Sequence, residues 1–230
     1  MLPQVSSLVQ WEHEPTREER VLLLVRHGQT AWNRQRRFLG STDIPLDETG
    51  TTQARDLAEW LAPLPLTAVY TSPLSRALDT ARALCSERNG LEPRVDPRLA
   101  ELDQGVLEGQ PSHVLSEDHP DFLEAWVTDP THARIPGGET FGSCQERALA
   151  AIQQIADTHD PGPPVVIVSH RMVLAAILCH ILEIPLRLHG RIGQVNTAIN
   201  VITYADDRFS IRRLNESSHL RPRTSSGTSS

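Results

Sequence analysis

The chain contains no lysine: all 22 of its basic residues are arginine, and they are outnumbered by 29 acidic ones, for a formal net charge of −7. That balance argues against nucleic acid and anionic membranes as main partners, because both attract basic surfaces. Cysteine is scarce, with Cys85, Cys144 and Cys179 odd in number and far apart. Such usage leaves no disulfide framework and no CxxC pair, and it predicts a reducing, cytoplasmic setting. No apolar stretch reaches the roughly 20 residues of a membrane span. The opening segment, MLPQVSSLVQWEHEPTREER, lacks both the basic start and the long apolar core of a secretory signal. What remains, 39% hydrophobic and 22% charged residues, is ordinary globular composition.

Within it, two aliphatic runs each stop at a histidine. VLLLV at 21–25 leads into Arg26-His27-Gly28, and VVIVS at 165–169 leads into His170. Runs this short and this rich in branched aliphatic residues read as strands buried on both faces, the pattern of a parallel sheet in an α/β fold. Ligands in such folds bind beyond the carboxyl ends of the strands, so two strands are expected to deliver one imidazole each to one site.

Around these strands, GTTQARDLAEWLAP at 50–63 places Ala54, Leu57, Ala58 and Leu61 on one helical face. TAVYTS at 67–72 reads as a short strand. The helix after it is expected to use Ser72 as N-cap and Pro73 as first residue, with Leu74, Ala77, Leu78, Ala81 and Leu84 as its buried stripe. Residues 91–100 read as a third strand ending near Glu101. The segment 102–137, with Pro111, Pro120, Pro130 and Pro136, reads as an irregular cap over the site. A helix is expected from Glu139 to Thr158 and another from Met172 to Leu182, before a closing strand pair in NTAINVITY and RFSIRRLN. The unbroken βα alternation predicts one domain over 21–220, after a polar extension at 1–20 and before a disordered tail at 221–230.

RHGQTAWN at 26–33, RFLGSTDIPLDETG at 37–50, YTSPLSRALDT at 70–80, Glu101 in RLAELDQGVLEG, PGGET at 136–140 and VSH at 168–170 resemble the histidine phosphatase superfamily in its phosphoglycerate mutase-like branch. The likeness spans roughly residues 21 to 219 and is weak over 102–135. It implies a three-layer α/β/α sandwich with a mostly parallel sheet, and metal-independent phosphoryl chemistry without a cofactor.

Hydrolysis of a phosphate ester needs a nucleophile, neutralisation of the non-bridging oxygens and a proton for the leaving oxygen. His27 can attack phosphorus, and the resemblance implies that backbone near Gly28 orients its ring. Arg26 and Arg76 supply planar forks for phosphate oxygens, Asn33 adds neutral donors, and His170 as imidazolium would complete the clamp. Gly40 lies in the same phosphate-binding set. Glu101, pushed toward its protonated form by the negative charge of the phosphate, is the expected acid and then the base that activates water. Each has a blander reading: ion-pair partners for the arginines, a cap for Asn33, a solvated carboxylate for Glu101. A zinc site of His27, His170 and Glu101 is the sharper rival, but Arg26 and Arg76 make the pocket cationic, which repels a metal and attracts an anion. The remaining histidines, including His113, His119, His132, His159, His180 and His189, read as structural or surface residues.

Where many members of the family carry glycine, glutamine or asparagine after the second histidine, this chain has Arg171. It is either a solvated first-turn residue or a fork for a second anionic group. Family mutases look to a lysine and two arginines after the catalytic glutamate, and here 102–135 offers only Arg134. A phosphatase acting on a small phosphorylated metabolite through a phosphohistidine is therefore the leading reading. A phosphoglycerate mutase and a catalytically silent phosphate-binding module are the alternatives. Homodimerisation is left open.

Overall fold

Strand β1 (Arg20–Arg26) carries the first aliphatic run, and its residues Val21 to Val25 are all buried. The structure is a computed structural model that describes residues 18–86, 88–111 and 115–220. Most of the 1–20 extension, the 221–230 tail and His113 therefore lie outside the described residues. Five more strands join β1: β2 (Ala68–Thr71), β3 (Pro93–Val95), β4 (Val165–Ser169), β5 (Ile199–Ala205) and β6 (Arg208–Glu216), in the order β3-β2-β4-β1-β5-β6. The first four strands of that order run parallel, and β5 and β6 close one edge antiparallel.

Alternation along β1 sorts its side chains into two layers. Leu22 and Leu24 face a core shared with α6 (Phe141–Thr158) and α7 (Arg171–Ile181). Val21, Leu23 and Val25 face one shared with α2 (Glu48–Leu61) and α3 (Ser75–Cys85). The result is the expected three-layer α/β/α sandwich. Leu57 and Leu61, from the predicted stripe of α2, are fully buried, each worth about 1.5–3 kcal/mol. Helix α7 is buried at every position from Met172 to Cys179, as an apolar surface on all sides requires. Among the described residues no helix is long and apolar enough to cross a membrane.

Two local expectations are corrected. Helix α3 starts at Ser75 with Leu74 as its N-cap residue, not at Pro73 after Ser72. Asp43 Oδ1, from a distant loop, accepts from the Ser75 N–H and hydroxyl at 2.8 Å and so takes over the capping. The third strand shrinks to three residues, because Pro97 opens a 3-10 turn (Pro97–Leu99) that ends the pairing.

The 102–137 segment is not irregular throughout. It carries a 3-10 turn (Gly105–Leu107), α4 (Leu115–Asp118) and α5 (Pro120–Thr128), with proline in the first turn of α5. Its two ends are tied together: Asp103 N–H donates to Glu139 Oε1 at 3.0 Å, Glu139 N–H to Asp103 O at 3.2 Å, and Val106 N–H to Pro136 O at 2.9 Å. Gly105, at φ +48°, crosses so close to the Pro136 carbonyl that a Cβ would collide with it. The remaining short helix, α1 (Ala31–Arg34), follows β1 directly.

Candidate active site

Because β1 and β4 are neighbours in register, with Arg26 beside Ser169, the next residues of both strands meet at the sheet's carboxyl edge. These are His27 and His170, both buried, with ring centroids 5.1 Å apart. Nδ1 of His27 lies 2.6 Å from Gly28 O. A carbonyl only accepts, so Nδ1 carries the proton and Nε2 keeps its lone pair. Burial, with Arg76 and Arg26 adding to it, holds His27 well below the ordinary histidine range, which preserves that neutral form. Nε2 of His170 lies 2.7 Å from Ser72 Oγ, which itself accepts from the Leu74 N–H at 3.3 Å. The hydroxyl, with one lone pair used by Leu74, is free to donate to Nε2, an arrangement that places the His170 proton on Nδ1. Burial and the same arginines hold His170 well below its ordinary range as well. His170 is thus neutral in the free protein, whereas the imidazolium expected from the sequence belongs to the phosphate-bound clamp.

The two arginines are anchored from behind. Arg26 Nη1 donates to Gln194 O at 2.5 Å. Arg76, fully buried, donates from Nη1 to Thr42 O at 3.0 Å and from Nη2 to Gly40 O at 2.7 Å. Gly40 is therefore placed as a holder of Arg76 and is absent from the cavity lining described below. Glu108 fastens that loop, accepting from the N–H and hydroxyl groups of both Ser41 and Thr42. Burial lowers Arg26 to about 10, with Arg171 as the next cause, so it remains charged at neutral pH. Among the described residues, six buried side-chain polar atoms lack a partner, and three belong to this cluster: Arg26 Nε, Arg76 Nε and His170 Nδ1. A buried donor left unpaired costs about 1–3 kcal/mol. The two arginine N–H groups in one cluster fit an anion with several acceptor oxygens.

Glu101, at 6% exposure, sits where the chain leaves the 3-10 turn toward the cap. Its Oε1 accepts from the Leu102 N–H at 2.8 Å and its Oε2 from the Met172 N–H at 3.3 Å. Its pKa is raised, and burial is the main cause, against the opposing pull of Arg76 and Arg26. The expected direction is present with a different origin, since desolvation acts before any phosphate arrives. Arg147, which the sequence reading missed, holds this stretch by donating to the carbonyls of Arg98, Ala100 and Glu101 and pairing with Glu139.

A cavity of about 190 Å³ opens onto Arg26, His27, Asn33 and Glu101, with Arg171 and His189 also lining it. Asn33 combines both of its readings: its Oδ1 accepts from the Thr30 N–H, closing a capping box, while the residue still faces the cavity. Arg171 is largely exposed yet lines the cavity. His189, read from sequence as structural or surface, is placed at the site. Arg76 and His170 are not among the lining residues, although His170 packs against His27, which is. Among the described residues no group of three or more His, Cys, Asp or Glu is placed to hold a metal ion.

The family model described as the histidine phosphatase superfamily (branch 1) matches residues 22–217. "Probable phosphoglycerate mutase GpmB" of Cronobacter sakazakii is 36% identical over 181 residues, 79% of this chain and 83% of that protein. Phosphoserine phosphatase 1 of Hydrogenobacter thermophilus is 32% identical over 199 residues, 86% of this chain and 93% of that protein. Among solved structures, Bacillus stearothermophilus YhfR matches with a TM-score of 0.80 at 32% identity, over 87% of this chain and 99% of that one. A mycobacterial glucosyl-3-phosphoglycerate phosphatase in complex with VO3 matches with a TM-score of 0.77 at 33% identity, over 86% and 100%. Its sequence, its sheet topology and its paired strand-end histidines agree, and the chain belongs to the histidine phosphatase superfamily, branch 1.

Proposed function

We propose that the chain is a phosphomonoester hydrolase that works on small phosphorylated metabolites through a phosphohistidine on His27. One observation carries the reading: an unprotonated Nε2, fixed by the Nδ1 contact to Gly28 O, stands in the same cluster as two unpaired arginine N–H donors and the unengaged Nδ1 of His170. Nε2 attacks phosphorus as the bond to the ester oxygen breaks, and the Glu101 carboxyl gives its proton to that oxygen. Glu101, now a carboxylate, takes a proton from water. The resulting hydroxide displaces phosphate from Nε2 and restores both groups. Arg26, Arg76, Asn33 and the Nδ1–H of His170 hold the phosphoryl oxygens, where charge is concentrated throughout.

Transfer within a phosphoglycerate fits less well. Arg134, the sole cation in 102–135, donates to Gly138 O and does not line the cavity. A silent binding module would have no use for a buried carboxyl that favours its protonated form. The relatives named for phosphoserine and glucosyl-3-phosphoglycerate support a small ester as substrate. The three buried free cysteines suit a reducing cytoplasm.

Rapid quenching with ³²P-labelled ester tests the reading. Wild type should carry acid-labile label and release phosphate in the presence of a chelator, whereas His27→Ala should do neither. Label retained in His27→Ala, or chelator inhibition reversed by zinc, would overturn it.

A further inference from the structure

The cavity meets the alcohol half of an ester mainly with carbon and with positive charge from Arg37 and Arg171, beside the neutral polar side chains of Asn33, Gln104 and His189. Phe38, Leu107, Phe122, Trp126, Ile135 and Met172 supply an apolar wall. Trp126 is set in place by stacking on Phe141, centroids 5.6 Å and planes 21° apart, and by an edge contact with His189. Glu101 is the one carboxylate among the described lining residues, and both its oxygens already accept backbone N–H groups. Arg171 lines the same space and has no acidic side chain within ion-pair distance among the described residues.

A substrate ammonium group needs a carboxylate or a ring of carbonyls, and a polyol needs a partner for each hydroxyl it desolvates. This wall provides no free carboxylate, and of its neutral polar side chains Asn33 Oδ1 and His189 Nδ1 are already engaged by the Thr30 N–H and Leu186 O, which leaves Gln104 to meet a polyol's several hydroxyls. An apolar ring gains from the same surface, and Arg171 rewards a carboxylate with a charge-assisted contact. The volume of about 190 Å³ suits a small group, since a cavity of roughly 150 Å³ takes benzene.

We propose that the preferred substrate is the phosphate monoester of an apolar alcohol, about one ring in size, that also bears a carboxylate. Trp126 reads the ring and Arg171 the carboxylate. This rests on the phosphatase reading above, and it separates the chain from a preference for phosphoserine or sugar phosphates.

Four esters of primary alcohols keep the leaving-group demand similar: benzyl phosphate, 4-carboxybenzyl phosphate, glucose 6-phosphate and O-phosphoserine. The expected kcat/KM order places 4-carboxybenzyl phosphate first and benzyl phosphate second, with the other two at least tenfold lower. Arg171→Gln should shrink the ratio of the two benzyl esters about tenfold through KM. Trp126→Ala should shrink the ratio of benzyl phosphate to glucose 6-phosphate. Turnover of glucose 6-phosphate or phosphoserine equal to that of benzyl phosphate, or equal effects of Arg171→Gln on both benzyl esters, would overturn the proposal. Calorimetric titration of the four esters into His27→Ala reads the same order in Kd without turnover. Failure of hydrolysis with the binding order intact would therefore count against the phosphatase reading alone.

Discussion

His27 and His170 lie with ring centroids 5.1 Å apart and planes tilted by 56°, as successors of residues that pair across two neighbouring parallel strands. Their separation is thus set by strand spacing and not by loop conformation. Both rings are neutral for the same reason, burial among arginines, yet opposite nitrogens are engaged. His27 is held through Nδ1 and His170 through Nε2. His27 keeps a lone pair at Nε2, and His170 leaves Nδ1 unengaged.

The pH profile should follow from two shifts in opposite directions. His27 attacks only when unprotonated and is held well below 6.5, so the acid arm of kcat/KM should fall below pH 6.5. Glu101 must be protonated to assist departure, and burial raises it above 4.5, so activity on alkyl esters should decline as pH climbs through that raised value. Glu101→Gln should remove the alkaline arm and cost alkyl esters roughly 10²–10⁴-fold. Activated aryl esters should lose far less. Stopped-assay profiles of both ester types check this, and equal losses would leave Glu101 a structural role.

Glu108 is expected to act through Arg76. It collects four donors from Ser41 and Thr42, whose loop supplies the two carbonyls that hold the Arg76 guanidinium. Glu108→Ala should lower kcat/KM by about tenfold, the loss of a contact worth roughly 1.4 kcal/mol, and should weaken inhibition by inorganic phosphate. In the Arg76→Ala background the same change should add little. Additive losses would show that the loop does not work through Arg76.

Gly28 has no room for a methyl group. A Cβ there would stand 2.5 Å from the Gly50 carbonyl oxygen, which is backbone and cannot rotate away. Gly28→Ala should cost about 1–3 kcal/mol in urea unfolding. It should reduce kcat further, because relief of that clash moves residue 28, whose own carbonyl orients His27.

His219 should make the protein sensitive to acid. Burial lowers it to about 4 even though Asp56 and Glu216 pull it upward, and its Nε2 meets Thr197 Oγ1 at 3.0 Å. A depressed folded-state value means that this stability is present above the unfolded value near 6.5 and is lost as pH falls toward 4. The loss amounts to up to about 3 kcal/mol. Melting temperatures between pH 7.5 and 4 should drop less steeply in His219→Gln than in wild type.

The layers and the two histidines were legible because aliphatic runs and helical stripes are local signals. Relationships between distant segments were not. Ser72 looks like a cap, but its hydroxyl meets His170, and Asp43 caps the helix from 32 positions away. Arg147 reads as one more arginine on a helix until the fold brings three loop carbonyls to it. His189 gives no signal in the sequence, and the fold sets it edge-on against Trp126 and Phe141 beside the cavity. The prolines of 102–137 hid two helices, one of which uses Pro120 in its first turn.

The hydrogen-bonded neck at Asp103, Val106, Pro136 and Glu139 makes the stretch between them a closed excursion from the sheet. Gln104, Leu107, Phe122, Trp126 and Ile135 all come from it, whereas His27 and His170 follow strands that it never joins. Most of the apolar wall and the two strand-end histidines are thus written in separate parts of the chain. An exchange of the excursion at its neck would change that wall, and it would leave the catalytic floor intact only where Glu108 is kept, because Glu108 fastens the loop that holds Arg76.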